Sequence, residues 1–112
     1  FAEAGLISKG RTPYVEHPQS LKNPHIYNQY VIRAERRDEL QSFLSENEIA
    51  SEVYYPLPFH LQECFLHLGG KAGDFPVSET AAKEVLALPV YPGMTGAMRE
   101  TVVEHIAKFY QF

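Results

Sequence analysis

His60, Cys64 and His67 stand at i, i+4 and i+7, a spacing that puts three metal-ligating side chains on one face of an α-helix. Zinc takes ligands of these types, but a closed structural site needs four, and no fourth stands nearby. The competing reading is three polar residues on the flank of a short helix anchored by Leu61, Phe65 and Leu68. No metal is assigned. Cys64 is the single cysteine. As a nucleophile it would need an accessible, electropositive setting with a base and an orienting third group. The local sequence offers no oxyanion hole and no third group, and a lone cysteine on a helix is ordinarily a small hydrophobe. No catalytic residue is assigned either.

Tyr54-Tyr55-Pro56-Leu57-Pro58-Phe59-His60 is the stretch best suited to hold a polar ligand. Two hydroxyls and an imidazole supply donors and acceptors. Two prolines stiffen the loop that carries them. At the end of a strand, adjacent tyrosines point to opposite sides of the sheet. The alternative is that the rings pack while the hydroxyls stay wet. No glycine loop has the strand-turn-helix context that cradles phosphate; Gly69-Gly70 and Gly73 lack it.

The elements around this stretch follow from periodicity. Tyr30–Arg33 reads as a strand. A helix is predicted from Arg37 to Glu46, with Asp38 and Glu39 in its first turn, Leu40, Phe43 and Leu44 inward, and Asn47 ending it in the left-handed region. A second strand is predicted over 50–55, stopped by Pro56 and Pro58. A short helix through Leu61, Phe65 and Leu68 ends at Gly69-Gly70. Ser78 is the predicted N-cap of the next helix, with Val77 and Ala82 as its staple, running to about Leu86. Residues 88–92 read as a short extended piece. Thr95 caps a last helix whose inner face is Met98, Val102, Ile106 and Tyr110, with Val103 and Ala107 beside it. The core is expected to hold Val31, Leu40, Phe43, Leu44, Phe65, Leu86, Val102 and Ile106. Gly5, Gly10, Pro13, Pro18 and Pro24 punctuate residues 1–24, which read as a lead-in. The order β-α-β-α-α-β-α predicts a small α/β domain, a sheet with helices packed on it.

The chain has 112 residues and a net charge of −4, which speaks against a basic nucleic-acid footprint. No apolar run approaches the roughly 18 residues of a membrane span, no secretory leader is legible, and one cysteine forms no internal disulfide. The methionines are Met94 and Met98 and the sequence opens on Phe1, so a processed product or a piece of a longer protein is expected.

Five segments then stand in a telling order: His25-Ile-Tyr-Asn-Gln-Tyr-Val-Ile-Arg33, Arg37-Asp-Glu-Leu40, the Tyr54–Phe65 stretch, Gly73-Asp-Phe-Pro-Val-Ser-Glu79, and Leu86-Ala-Leu-Pro-Val-Tyr-Pro92. Together they resemble the C-terminal part of the DegT/DnrJ/EryC1/StrS sugar aminotransferases, from about residue 20 to the end. The resemblance implies an α+β two-layer fold, a small, mainly antiparallel sheet flanked by helices. This is the small domain of a fold-type I enzyme, with 1–24 a linker from a large N-terminal domain and 25–112 the small domain. It implies an enzyme that moves an amino group from glutamate to a nucleotide-linked keto sugar, dependent on pyridoxal phosphate. The catalytic lysine lies in the large domain. Lys9, Lys22, Lys71, Lys83 and Lys108 lack that lysine's context, so the chain alone is expected to be inactive and to hold no cofactor. Expected partners are its own N-terminal domain, a second copy of the full-length enzyme, the nucleotide sugar and glutamate, in the cytoplasm, with neither nucleic acid nor membrane.

Substrate contacts carried over by the resemblance are Tyr54, Tyr55 and His60. Position 54 is often histidine in relatives acting on uronic-acid sugars, and tyrosine here is a departure. His60 serves the diphosphate side or holds the loop. His25, Asn28, Gln29 and Tyr30 lie near the domain junction and are read as structural. The alternative outside this class is a stand-alone α/β ligand-binding or regulatory module.

Overall fold

The central strand decides the architecture. In the computed structural model, which describes residues 1, 6, 15–16 and 26–111, β2 (Tyr30–Ala34) pairs on both edges. On one side lies β1 (Val15–Glu16), with Val15 opposite Ala34. On the other lies β3 (Val85–Leu88), with Ile32 opposite Leu86. Both pairings are antiparallel. Ile32 and Ala34 are buried on one face, as the two-residue period of a strand requires. Against that face pack α1 (Arg37–Glu46) and α3 (Gly96–Phe109). Leu40 and Leu44 of α1 and Val102 and Ile106 of α3 close the core around Ile32, Leu86 and Leu88. On the opposite face Val31 borders α2 (Pro76–Glu84), and Arg33 reaches Glu84 at 3.6 Å. The result is the small antiparallel sheet flanked by helices.

Two buried or half-buried polar groups join these elements. Arg37, 7% exposed, donates to the carbonyls of Ala82 (3.0 Å) and Val85 (2.7 Å) and to Asp38 (2.6 Å). It thereby satisfies carbonyls that the end of α2 leaves open. The Tyr110 hydroxyl donates to the Glu35 carbonyl, and burial pushes its pKa up to about 12.

Several expectations are corrected. Residues 1–24 show no sustained hydrophobic period and the expected core holds none of them, yet Leu6 and Val15 are fully buried in the core. The strand expected over 50–55 is reduced to a single bridge between Glu52 and Ala87, because Ala50 and Ser51 bring little β-forming bulk and the prolines follow at once. Asn47 is not left-handed; its amide donates to the Phe43 carbonyl at 2.8 Å, and Glu48 takes the positive φ of 60°. The helix through Leu61, Phe65 and Leu68 is two 3₁₀ segments, Phe59–Leu61 and Glu63–Leu68. With three residues per turn, i and i+4 no longer share a face. Phe65 is 37% and Leu68 72% exposed, so Phe65 leaves the expected core, while Val31 and Phe43 are half-buried.

Ser78 is not the cap of α2. Pro76 opens that helix at its first position, where its fixed φ and missing N–H cost nothing. Val77, 78% exposed, forms no staple. The helix ends at Glu84, not near Leu86, and the third strand is β3 at Val85–Leu88, ahead of the extended piece expected at 88–92. Thr95 does cap α3, accepting from the Met98 amide at 3.3 Å. Met98 itself is exposed, whereas Val102, Ile106 and Ala107 are buried.

Candidate functional site

Tyr54 and Tyr55 follow the Glu52 bridge and lie outside any strand, so the alternation expected of them does not apply. Both rings border one hollow of about 240 Å³ with Phe59, Ser78 and Ala82. They meet edge to face at 6.5 Å, and Tyr55 tilts against Phe59 at 6.0 Å. Both remain accessible, Tyr54 at 44% and Tyr55 at 67%. Tyr54 also borders a second hollow of about 350 Å³, where Asn28, Gln29, Ser51, Glu52 and Tyr91 converge. Amides, hydroxyls and flat rings around adjoining hollows suit a ligand with many hydroxyls.

His60 is not beside them. Its ring tilts against Phe75 at 4.8 Å, and its Nε2 is 2.9 Å from Glu79 Oε1. The two side chains are only 10% and 17% exposed. Glu79 also accepts from the Gly73 amide (2.8 and 3.0 Å) and the Phe75 amide (3.3 Å). The Gly73 amide, with His60 and Phe75, holds this carboxyl below the ordinary carboxylate range. Of the three residues singled out in the sequence, the structure brings Tyr54 and Tyr55 together and sets His60 apart. Glu79, Asn28, Gln29 and Tyr91 were not singled out as ligands. Their signal was present, since all four lie within the five segments that carry the family resemblance.

The metal alternative fares differently. His67 Nδ1 engages the Cys64 carbonyl at 3.0 Å, and His60 is committed to Glu79. Among the described residues, no three His, Cys, Asp or Glu side chains gather to hold a metal ion. Cys64 is an exposed free thiol. No helix among the described residues is long and apolar enough to cross a membrane.

Residues 6–107 match the model of the DegT/DnrJ/EryC1/StrS aminotransferase family. The chain belongs to that family. It is similar to a protein of Geobacillus stearothermophilus named pleiotropic regulatory protein, 54% identical over 78% of this chain and 23% of that protein. It is also similar to the dTDP-3-amino-3,4,6-trideoxy-alpha-D-glucose transaminase of Micromonospora megalomicea, 36% identical over 75% of this chain and 23% of the enzyme. Among solved structures, DesV of S. venezuelae matches with a TM-score of 0.81 and 27% identity, over 89% of this chain and 27% of that one. A family aminotransferase from Brucella abortus matches at 0.80 and 32%, over 88% and 27%. The chain therefore spans about a quarter of the length of these relatives.

Pyridoxal phosphate, which the resemblance implies, needs a lysine amine for covalent attachment. No lysine borders the hollows beside Tyr54, and Lys71, Lys83 and Lys108 are exposed. Lys9 and Lys22 lie outside the described residues. No described residue is assigned to hold the cofactor.

Proposed function

We propose that this chain is the C-terminal domain of a pyridoxal-phosphate-dependent aminotransferase that moves an amino group from glutamate to a nucleotide-linked keto sugar. The observation that carries the reading is the match of residues 6–107 to the aminotransferase family. The sugar transaminase names of several relatives support the substrate class. In this reading residues 25–112 are the small domain. Residues 1–24 are the approach from the large N-terminal domain, and they also lay Leu6 and Val15 on the core. The large domain carries the cofactor, which supplies the electron sink, and the lysine. The chain alone is inactive and holds no cofactor. The full-length enzyme is a cytoplasmic homodimer that engages neither membrane nor nucleic acid.

This domain's share is recognition. Tyr54 and Tyr55 face the sugar, with Tyr55 the more accessible donor. Rigid placement of such donors aims the keto carbon at the reacting centre. His60 serves recognition indirectly by holding the loop, since its Nε2 is taken by Glu79. A regulatory role is the second reading, favoured by the 54%-identical relative's being named a pleiotropic regulatory protein.

The test is transfer of ¹⁵N from labelled glutamate to nucleotide-linked keto sugars by the cofactor-loaded full-length protein, beside the 112-residue chain alone. Label in the sugar with the full-length protein only is expected. No transfer to any such sugar by the loaded full-length protein would overturn the reading in favour of the regulatory one.

A further inference from the structure

Glu79 sits where three segments meet. It lies one turn into α2, yet its carboxylate turns back past the helix start. There it takes the amides of Gly73 and Phe75 and the ring of His60 at 2.8–3.3 Å. Those three groups belong to the glycine turn, the residue preceding α2 and the end of the Tyr54–His60 loop. An anion near a helix N-terminus is favoured by the helix dipole. Pro76 removes the competing amide at the first position.

Packing closes the same joint. A Cβ on Gly70 would stand 3.0 Å from His60 Cβ and 3.1 Å from its carbonyl oxygen. The Phe75 ring packs tilted against the imidazole, with centroids 4.8 Å apart. Apolar burial does not hold this loop, for between Tyr54 and Val77 only Pro58 is buried. Its placement over α2 rests on hydrogen bonds, and Glu79 gathers the longest-range of them.

We infer that Glu79 is a positioning residue for substrate recognition: through His60 and the Gly73 and Phe75 amides it fixes the loop that presents Tyr54 and Tyr55 over α2. The inference rests on the reading of those tyrosines as sugar contacts. Glu79 touches no substrate. It acts by setting where the two rings stand beside Ser78 and Ala82, the α2 residues across the hollow. A displacement of about 1 Å in such a constellation can cost on the order of 100-fold.

The experiment uses the cofactor-loaded full-length enzyme and the nucleotide-linked keto sugar that it turns over. Glu79→Ala is expected to raise the KM for sugar about 10-fold to 100-fold and to leave the glutamate half-reaction unchanged. Hydrogen exchange should quicken in peptides spanning 53–62 and stay slow in α1. Glu79→Gln keeps one carbonyl acceptor and should recover most of the sugar affinity. Where Glu79→Ala does not accumulate as folded enzyme, His60→Leu carries the same readouts, since it keeps bulk and removes the donor. Unchanged sugar KM, or exchange rising equally in α1, overturns the inference. Tyr55→Phe in parallel separates the two ideas. If it weakens sugar binding while Glu79→Ala does not, the tyrosine reading stands and the positioning role falls. If Glu79→Ala alone weakens binding and loosens the loop, the positioning role stands and Tyr55 as a contact falls.

Discussion

The sheet-and-helix core and the Tyr54–Val77 segment are held by different forces. In the core, Leu6, Ile32, Leu40, Leu44, Leu86 and Ile106 are each at most 1% exposed. In the segment, Tyr55, Phe59, Leu66, Leu68 and Phe75 are all more than half exposed. Order there comes from short polar links. Gln62 donates to the Leu57 carbonyl at 3.1 Å, the Lys71 amide to Asp74 at 3.0 Å, and Glu79 collects its three donors. Fixing a loop by hydrogen bonds leaves its apolar side chains free to meet something else. A region built this way gives up stability of its own and gains a presentable surface.

The contrast breaks most sharply at Leu40. Leu40→Ala removes a fully buried side chain and should cost about 2–5 kcal/mol in chemical denaturation. Phe43→Ala should cost less than that, because Phe43 is half-buried and tilts against Phe109 at 5.6 Å. A larger loss at Phe43 would mean that the core is centred elsewhere. In the segment, Gly70→Ala drives a methyl into His60 and should cost roughly 1–3 kcal/mol by overpacking. A neutral outcome would show that the loop yields freely and is not fixed.

Helix starts sharpen the comparison at smaller scale. Thr95→Ala deletes the cap of α3 and should cost about 0.5–2 kcal/mol, whereas Ser78→Ala should stay within about 0.5 kcal/mol. Equal losses would restore Ser78 as a cap. The smallest effect concerns Tyr110. Its pKa is raised, so its stabilising bond to Glu35 is fully present below the ordinary tyrosine value of about 10. It is lost as pH rises through about 12. Ultraviolet titration of the phenolates should show a late step near that pH that disappears in Tyr110→Phe. A titration curve identical in the two proteins would contradict the raised pKa of the half-buried Tyr110.

Periodicity served where burial governs. The α1 bounds, the Leu40 and Leu44 stripe and the Thr95 cap were all legible, because a 3.6-residue repeat or a hydroxyl before a helix is a local signal. It failed where long-range polar contacts govern. Nothing local announces that Val15 pairs with Ala34. Pro76 outcompeted Ser78 as the helix start. The Leu61, Phe65 and Leu68 spacing imitated an amphipathic helix on a segment that has no core to face. In the candidate site, the stretch that brings Tyr54 and Tyr55 to one hollow was legible. The engagement of His60 by a carboxylate nineteen residues away was not.

The placement of Tyr55 on the sugar side is tested most directly by measuring the two half-reactions separately, in single turnover, for Tyr55→Phe in the full-length enzyme. Loss of a contact made equally in ground and transition states raises KM and leaves kcat alone. The expected result is weaker binding of the nucleotide-linked sugar with an unaltered glutamate half-reaction. Intact sugar affinity, or equal damage to the glutamate half, would contradict it.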